Sequence, residues 1–212
     1  ANLLIQEYIQ SAESISEYYD TNSKQQACTK EQLAKSLVGA FFKMIFVDNF
    51  VHCDLHPGNI LVLQGTKTND SPKIVLLDTG MAHSLNSTDL KNLRDLFKAV
   101  VLNDGETAGR LMMERAKYIK PNYEKKESFA KNIGGIVQEF HQSKSLTFGA
   151  IQIGALLTRV LDQCRLHGVE IDPAMANIVL STLVLEGVGR SLQPDLNLME
   201  VAMPFILSMS PI

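Results

Sequence analysis

The chain has 212 residues, of which 45% are hydrophobic and 20% are charged, and its formal net charge is −3. A chain of this length and composition can bury a full core, which excludes disorder as its main state. Its basic residues are scattered, which argues against a nucleic-acid partner. The three cysteines (Cys28, Cys53 and Cys164) lie far apart, so they predict neither a disulfide framework nor a cysteine zinc site and favour a reducing compartment.

The N-terminal segment predicts a strand. Residues 3–9 form a short β-compatible apolar run, and residues 11–24 are polar enough to read as a connector. The first residues lack an initiating Met and a signal-cleavage pattern, which indicates a chain cut from something longer. The apolar stretches at 178–185 and 201–207 are too short to predict a transmembrane helix.

A helix is expected next, followed by a hairpin. Thr29 and Gln32 form a capping-box pattern, and an apolar face follows at helical spacing through Leu33, Leu37, Phe41, Met44 and Ile45. After the segment VHCDLHPGNILV at 51–62, the apolar runs 59–63 and 73–77 flank a polar, turn-rich segment. That pattern predicts a hairpin with a long loop.

Beyond Gly80 the sequence predicts helices only. Their apolar periodicity covers 90–100, 129–140, 148–167 and 173–190, with Gly168 as a C-terminal cap and Asp172-Pro173 as a helix start. The Met-rich run 198–209 fits either core packing or a membrane-docking face, and packing is the commoner use of such a stripe. The predicted fold class is therefore α+β, mostly α.

Three kinds of chemistry compete for VHCDLHPGNILV. His52, Asp54 and His56 alternate as in half of a metal site, but Pro57 and Gly58 break the segment and no second cluster completes the ligand shell. The stretch LLDTGM further on resembles the carboxylate turn of an aspartic protease, although that class needs a β-rich fold and a second aspartate. A polar loop without chemistry is a further possibility.

Phosphoryl transfer explains both stretches together. It needs one carboxylate to orient the attacking hydroxyl and oxygen ligands for magnesium. Asp54 and Asn59 are five residues apart, as in the kinase catalytic loop, and Asp78-Thr79-Gly80 takes the place of the D-F-G element. The two histidines are then expected to be architectural, with His52 orienting the backbone and His56 bracing the turn.

HCDLHPGNILV, LLDTGM and the C-terminal LEGVGRSLQPDLN together resemble the aarF/ABC1/UbiB atypical kinases, and the segment 41–62 is most similar to the type-2 group of the animal aarF-domain-containing kinases. The resemblance implies the C-terminal lobe of a protein-kinase-like fold, with a hairpin that carries the metal ligands. It divides the chain into 1–25, a hinge strand and connector from an absent N-terminal lobe, and 26–212, the helical lobe.

The same resemblance implies site residues and cofactors. Asp54 matches the catalytic aspartate, Asn59 and Asp78 match the magnesium ligands, and the backbone of Glu7 and Ile9 matches the hinge that meets adenine. ATP or ADP and Mg²⁺ are the expected cofactors. The phosphate-covering loop, the strand lysine and its glutamate are not in these residues, so we expect this chain alone to bind ATP poorly and to have no turnover.

The function implied is an atypical kinase or ATPase that supports mitochondrial coenzyme Q (ubiquinone) biosynthesis. Its expected partners are nucleotide, lipid or quinone precursors, coenzyme Q biosynthesis proteins and a peripheral membrane contact. The alternatives are a nucleotide- or lipid-binding pseudokinase and a small-molecule phosphotransferase of the aminoglycoside or choline kinase type. The absence of an A-P-E element after Gly80 argues against a conventional protein kinase.

Three further positions carry expectations. Cys53 stands where the family commonly has Ala, and packing is favoured there over redox control. Glu186 lies inside an apolar helix four residues before Arg190, which predicts an ion pair along the helix. Thr79 removes the packing switch that the middle residue of D-F-G provides in ordinary kinases.

Overall fold

The computed structural model describes residues 3, 5–20, 24–64, 71–119, 126–142, 153–171 and 173–207. Within these ranges the fold is mostly helical, with three small antiparallel sheets. The predicted α+β class is confirmed at this level.

Most of the strands lie in the N-terminal part of the described chain, and the C-terminal part is mostly helical. The helices are α1 (Lys24–Lys43), α2 (Ser87–Val101), α3 (Gly105–Glu114), α4 (Lys126–Gln142), α5 (Ile153–His167), α6 (Pro173–Leu192) and α7 (Leu198–Leu207). The strands are β1 (Ala12–Ser14), β2 (Val51–His52), β3 (Ile60–Leu63), β4 (Lys73–Leu76), β5 (Ala82–His83), β6 (Tyr118–Ile119) and β7 (Val169–Glu170).

The predicted hairpin is present as β3 and β4, which pair antiparallel with Ile60 opposite Leu76 and Leu63 opposite Lys73. The other edge of β3 pairs with β1, so the sheet order is β1-β3-β4. Two-stranded ribbons join β2 to β5 and β6 to β7. The hairpin loop at 65–70 lies outside the described residues.

The strand predicted at residues 3–9 is wrong. Residues 3 and 5–9 are irregular and largely exposed, and the strand forms instead at Ala12–Ser14, inside the predicted connector. The apolar run has high strand propensity, but a strand needs a partner edge, and β3 offers its edge to the residues that follow Ser11. Ser11 itself has a φ of 61°, a turn conformation that separates the two segments.

Helix α1 confirms the predicted apolar face and corrects its start. Leu33, Leu37, Phe41 and Ile45 are almost fully buried. Thr29 is not a cap, because the helix already includes Lys24 and the following turn. The capping-box pattern at Thr29 and Gln32 gave the wrong helix start. Such spacing of side chains does not prevent the helix from extending further toward its N-terminus.

The C-terminal end of α1 is fixed to the rest of the molecule by one asparagine. The last turn widens to a π-turn at Met44–Asp48, and Asn49 follows with a left-handed φ of 49°. Its side-chain amide donates to the Leu85 carbonyl at 2.7 Å and accepts from the Leu85 amide at 2.9 Å. These two hydrogen bonds join residues that are 36 apart in the sequence. They hold the start of VHCDLHPGNILV beside the segment that leads into α2.

Residues 103–105, which follow the predicted helix at 90–100, form a helix start that the sequence did not predict. Asn103 has a φ of 57°, and the Asp104 side chain accepts from the Thr107 amide as the cap of α3. Gly168 has the expected positive φ of 62° at the end of α5, and Pro173 is the first residue of α6. Asp172 and residues 148–152 lie outside the described residues.

Glu186 forms the predicted ion pair with Arg190 at 2.6 Å and has a second role. Its other carboxylate oxygen accepts the Gly154 amide at 2.7 Å, at the first turn of α5. A carboxylate is favourable there because the amides of the first helical turn are unpaired and carry partial positive charge. Glu186 therefore anchors α5 on α6.

Helix α7 packs against the core through Val201 and Phe205, and the Phe205 ring lies 6.3 Å from that of Phe42. This contact favours packing for the described part of the Met-rich run. Residues 208–209 lie outside the described part. No helix among the described residues combines the length and apolarity that crossing a membrane requires.

Helices α3 and α4 approach closely at small residues. A Cβ placed on Gly109 would lie 2.7 Å from the Ala130 Cα, and one on Gly105 would lie 2.7 Å from the Gly134 Cα. Both distances are too short for real atoms, so the helix spacing depends on these glycines. Gly135, on the same helix as Gly134, has no such neighbour within 4 Å.

We predict that Gly109→Ala lowers the free energy of unfolding by about 1–3 kcal/mol, because the added methyl group overpacks the α3–α4 contact. The matched change Gly135→Ala should be neutral or raise it by roughly 0.5–1 kcal/mol, since alanine is the better helix former. Urea denaturation measures both. Equal destabilisation by the two changes would contradict close packing at Gly109.

Candidate functional site

The segment VHCDLHPGNILV begins on a buried ribbon. Val51 and His52 form β2, and both are about 1% exposed. The ribbon pairs His52 with Ala82, and one residue further the Cys53 amide donates to the Met81 carbonyl at 2.8 Å. The turn that contains Asp78 is thereby tied to the loop that contains Asp54.

His52 joins the same two segments through its side chain. Its Nδ1 accepts the Asp54 amide at 3.2 Å, and its Nε2 lies 2.8 Å from the Leu77 carbonyl. Since Nδ1 acts as the acceptor, Nε2 must carry the proton and donate to Leu77. Both ring nitrogens are thus used for architecture, in agreement with the predicted role.

His56 braces the turn, also as predicted. Its Nδ1 accepts the Gly58 amide at 3.1 Å and so caps the short 3₁₀ turn at Pro57–Asn59. A Cβ on Gly58 would lie 2.9 Å from the His56 ring, so this cap needs glycine. The other nitrogen, Nε2, lies 3.8 Å from the nearer oxygen of Asp54.

Asp54 and Asn59 are held together by the same turn. The Asn59 Nδ2 donates to the Asp54 carbonyl at 3.0 Å and to the Asp54 carboxylate at 3.3 Å. Asn59 is 8% exposed, whereas the Asp54 side chain is 38% exposed. The amide nitrogen is committed to Asp54, so Oδ1 is the Asn59 atom that a cation could use.

The hairpin brings Asp78 to this pair. The Leu77 amide donates to the Asn59 carbonyl at 2.9 Å, which extends the β3–β4 pairing by one residue beyond Ile60 and Leu76. Asp78 is the next residue, so it lies at the open end of the hairpin beside Asn59. Asn59 and Asp78 are 19 residues apart in the sequence, and the hairpin brings them side by side.

Asp78 has an unusual backbone. Its φ of 54° and ψ of 68° are left-handed, which is uncommon outside glycine and typical of functional turns. Its Oδ1 accepts the Gly80 amide at 3.2 Å, and a Cβ on Gly80 would approach that oxygen to 3.0 Å. One carboxylate oxygen therefore fixes the turn, and the exposed side chain keeps Oδ2 for a ligand.

The donor chemistry at this end of the hairpin suits magnesium. One amide oxygen and one carboxylate are hard oxygen ligands, and magnesium in phosphate sites commonly uses few protein ligands. Asn59 and Asp78 would hold the ion, and the ion would supply charge neutralisation on bound phosphates. The described residues contain no group of three or more His, Cys, Asp or Glu side chains placed to hold a metal.

The structure does not give the adenine hinge the strand that was expected for it. Glu7 and Ile9 lie in the irregular segment before β1, with Glu7 exposed and Ile9 half-buried. Their backbone contact with adenine stays a prediction.

Cys53 is half-buried between the loop and α6. Its Sγ lies 3.5 Å from the Val51 carbonyl. Burial raises the pKa of the Cys53 thiol, and a hydrogen bond with Ser181 of α6 partly opposes that shift. Burial likewise raises the pKa of the Cys164 thiol to about 11. These protonated thiols favour packing over redox control.

Two family models match different parts of this chain. Residues 1–112 match the model of the ABC1 atypical kinase-like domain, and residues 140–197 match that of the UbiB helical domain. The second match covers helices that lie outside the candidate site. No solved structure matches this chain.

Three of the curated relatives come from two fungi and one bacterium. A mitochondrial ABC1 family protein of Schizosaccharomyces pombe is 35% identical over 84% of this chain and 31% of its own length. One of Saccharomyces cerevisiae, also named mitochondrial, is 30% identical over 83% and 33%. A probable protein kinase UbiB of an Enterobacter species is 30% identical over 86% and 32%. The chain thus spans about a third of the length of these relatives.

We predict that Cys53 is alkylated by iodoacetamide more slowly than free cysteine at pH 8, because its raised pKa leaves less of the reactive thiolate. The rate should still be rising above pH 9. Mass spectrometry of a Cys28→Ser variant measures labelling at Cys53 and Cys164 separately. Rapid labelling of Cys53 at pH 7 would instead indicate a reactive thiolate and revive the redox hypothesis.

We predict that His52→Phe lowers the free energy of unfolding by about 2–5 kcal/mol, since it removes both hydrogen bonds of a buried side chain and leaves the part-buried Asp54 amide and Leu77 carbonyl without that partner. His56→Ala removes one half-exposed cap and should cost about 1 kcal/mol. Urea denaturation of both variants gives the comparison. If the two losses were equal, His52 would not be the buried link between the loop and the hairpin.

Proposed function

This chain belongs to the ABC1 atypical kinase-like family, and from that premise we propose that it provides the catalytic loop and magnesium ligands of an ATP-dependent atypical kinase or ATPase. The observation that carries the proposal is the convergence of Asp54, Asn59 and Asp78. Hydrogen bonds from Asn59 to Asp54 and from Leu77 to Asn59 place all three at one end of the hairpin. A loop without chemistry does not require that arrangement.

Each residue has a distinct role in the proposed reaction. Asp54, with its partly exposed carboxylate, accepts a hydrogen bond from the attacking hydroxyl or water and orients it toward the terminal phosphate. Asn59 and Asp78 would hold magnesium, which would supply charge neutralisation on the bound phosphates. His52 and His56 keep the loop in shape and do not touch the nucleotide. Backbone atoms of Glu7 and Ile9 bind adenine.

We assign the physiological role to mitochondrial coenzyme Q biosynthesis. The names of the two fungal relatives support the compartment, and the resemblance of the two motifs to the UbiB group supports the pathway. Lipid or quinone precursors and other coenzyme Q biosynthesis proteins are the proposed partners, with a peripheral membrane contact. Membership of the type-2 animal group stays a prediction from residues 41–62.

A different observation bears on each of the two alternative functions. A small-molecule phosphotransferase would share the loop but is disfavoured by the match of 140–197 to the UbiB helical domain. A pseudokinase would bind nucleotide without turnover, and the presence of all three polar residues argues for retained chemistry. Only measured turnover distinguishes it.

We predict that, in the full-length protein, Asp78→Asn weakens magnesium-dependent ATP binding at least tenfold, because the carboxylate that neutralises the ion is lost. Asp54→Asn should leave binding within about threefold but reduce ATP consumption at least a hundredfold, in the range that positioned catalytic groups contribute. Calorimetry with and without magnesium, and phosphate release with lipid or quinone precursors, measure these effects.

Asp162→Asn serves as the control, since Asp162 is an exposed carboxylate on α5. It should behave as wild type in both assays. Unchanged magnesium-dependent binding in Asp78→Asn would remove Asp78 from the ligand set. Binding without any ATP consumption by the wild-type protein would favour the pseudokinase instead.

A further inference from the structure

A large apolar cavity lies among the helices, away from the hairpin that carries the candidate site. Its volume is about 370 Å³, and helices α1 to α6 all contribute to its wall. It separates two clusters of buried side chains, one that includes Phe41 and Leu185 and another that includes Ile133 and Val137. The second cluster does not close over it.

Two of the charged side chains in the wall are already engaged. Arg115 donates to the Asn92 carbonyl and to the Asp95 carboxylate, both at 2.9 Å. Glu186 is used by Arg190 and by the Gly154 amide. Most of the remaining wall is hydrocarbon from Leu, Val, Ile, Met and Phe side chains. Ordered water needs two to four polar partners, so this lining is poorly suited to hold it.

The cavity is only partly enclosed, so a ligand can enter without the unfolding of a helix. Helix α5 forms an exposed part of its wall, since Leu161 lines it and is 41% exposed, and Leu156 and Val160 on the same helix line it while only partly buried.

We propose that this cavity binds one long hydrocarbon chain, acyl or isoprenoid, with any polar head group left at the exposed part of the wall near Leu161. The volume lies within the range of small-molecule pockets, about 300–1,000 Å³. The aliphatic wall favours a ligand portion that needs no hydrogen bonds. The inference does not depend on the proposed phosphoryl transfer, because it rests on different helices and different residues.

The test uses cis-parinaric acid, an acyl probe that becomes fluorescent in apolar surroundings, added to the purified protein below its aggregation concentration. Palmitic acid and farnesol then compete for the probe, which separates an acyl from an isoprenoid preference. Two variants fill the cavity from two different helices of its wall, Val160→Phe on α5 and Thr182→Phe on α6. Leu166→Phe adds a ring at a residue of α5 that is 74% exposed and is the matched control.

The expected result is saturation at one probe per chain, displacement by at least one competitor, and binding that is at least tenfold weaker in each filled variant. The control should bind as wild type. If one filled variant fails to fold, the other still decides the question. Absence of saturable binding overturns the proposal. Equal binding by wild type, filled variants and control also overturns it.

Discussion

The candidate site depends on one buried imidazole. His52 accepts a hydrogen bond from the Asp54 amide and donates one to the Leu77 carbonyl, so a single side chain fixes the catalytic loop against the last residue of the hairpin before Asp78. Both partners are backbone groups of part-buried residues, and the His52 side chain itself is 1% exposed. Together with the β2–β5 pairing and the hydrogen bond from the Cys53 amide to the Met81 carbonyl, His52 sets the relative position of the Asp54 loop and the Asp78 turn.

Two turns complete the site, and the same kind of side-chain cap closes each of them. His56 accepts from the Gly58 amide, and Asp78 accepts from the Gly80 amide, so a side chain two residues before a glycine closes each turn. A Cβ at either glycine would approach the capping side chain to about 3 Å, so glycine leaves each cap undisturbed. The sequences P-G-N and D-T-G therefore suit the two polar corners of the site.

The site was largely predictable from sequence because its geometry is local. The spacing of Asp54, Asn59 and Asp78 and the hairpin pattern are contained in 30 residues, and the structure brings these residues together. The elements that failed depend on distant partners. The strand moved from residues 3–9 to Ala12–Ser14 because β3 selects its neighbour, and the second role of Glu186 depends on α5, 32 residues away. Helix α3 was missed because its glycines, which allow close packing on α4, read as breakers in a single sequence.

The central claim is that Asn59 and Asp78 hold one metal ion on a nucleotide beside Asp54. Manganese can replace magnesium in such sites and broadens NMR signals of nearby nuclei. In a ¹⁵N-labelled sample of the full-length protein with ATP, substoichiometric manganese should selectively broaden the backbone amides of Asn59, Asp78 and Gly80 and leave those of α4 and α5 sharp. Broadening centred elsewhere, or the same pattern without nucleotide dependence, would contradict the claim.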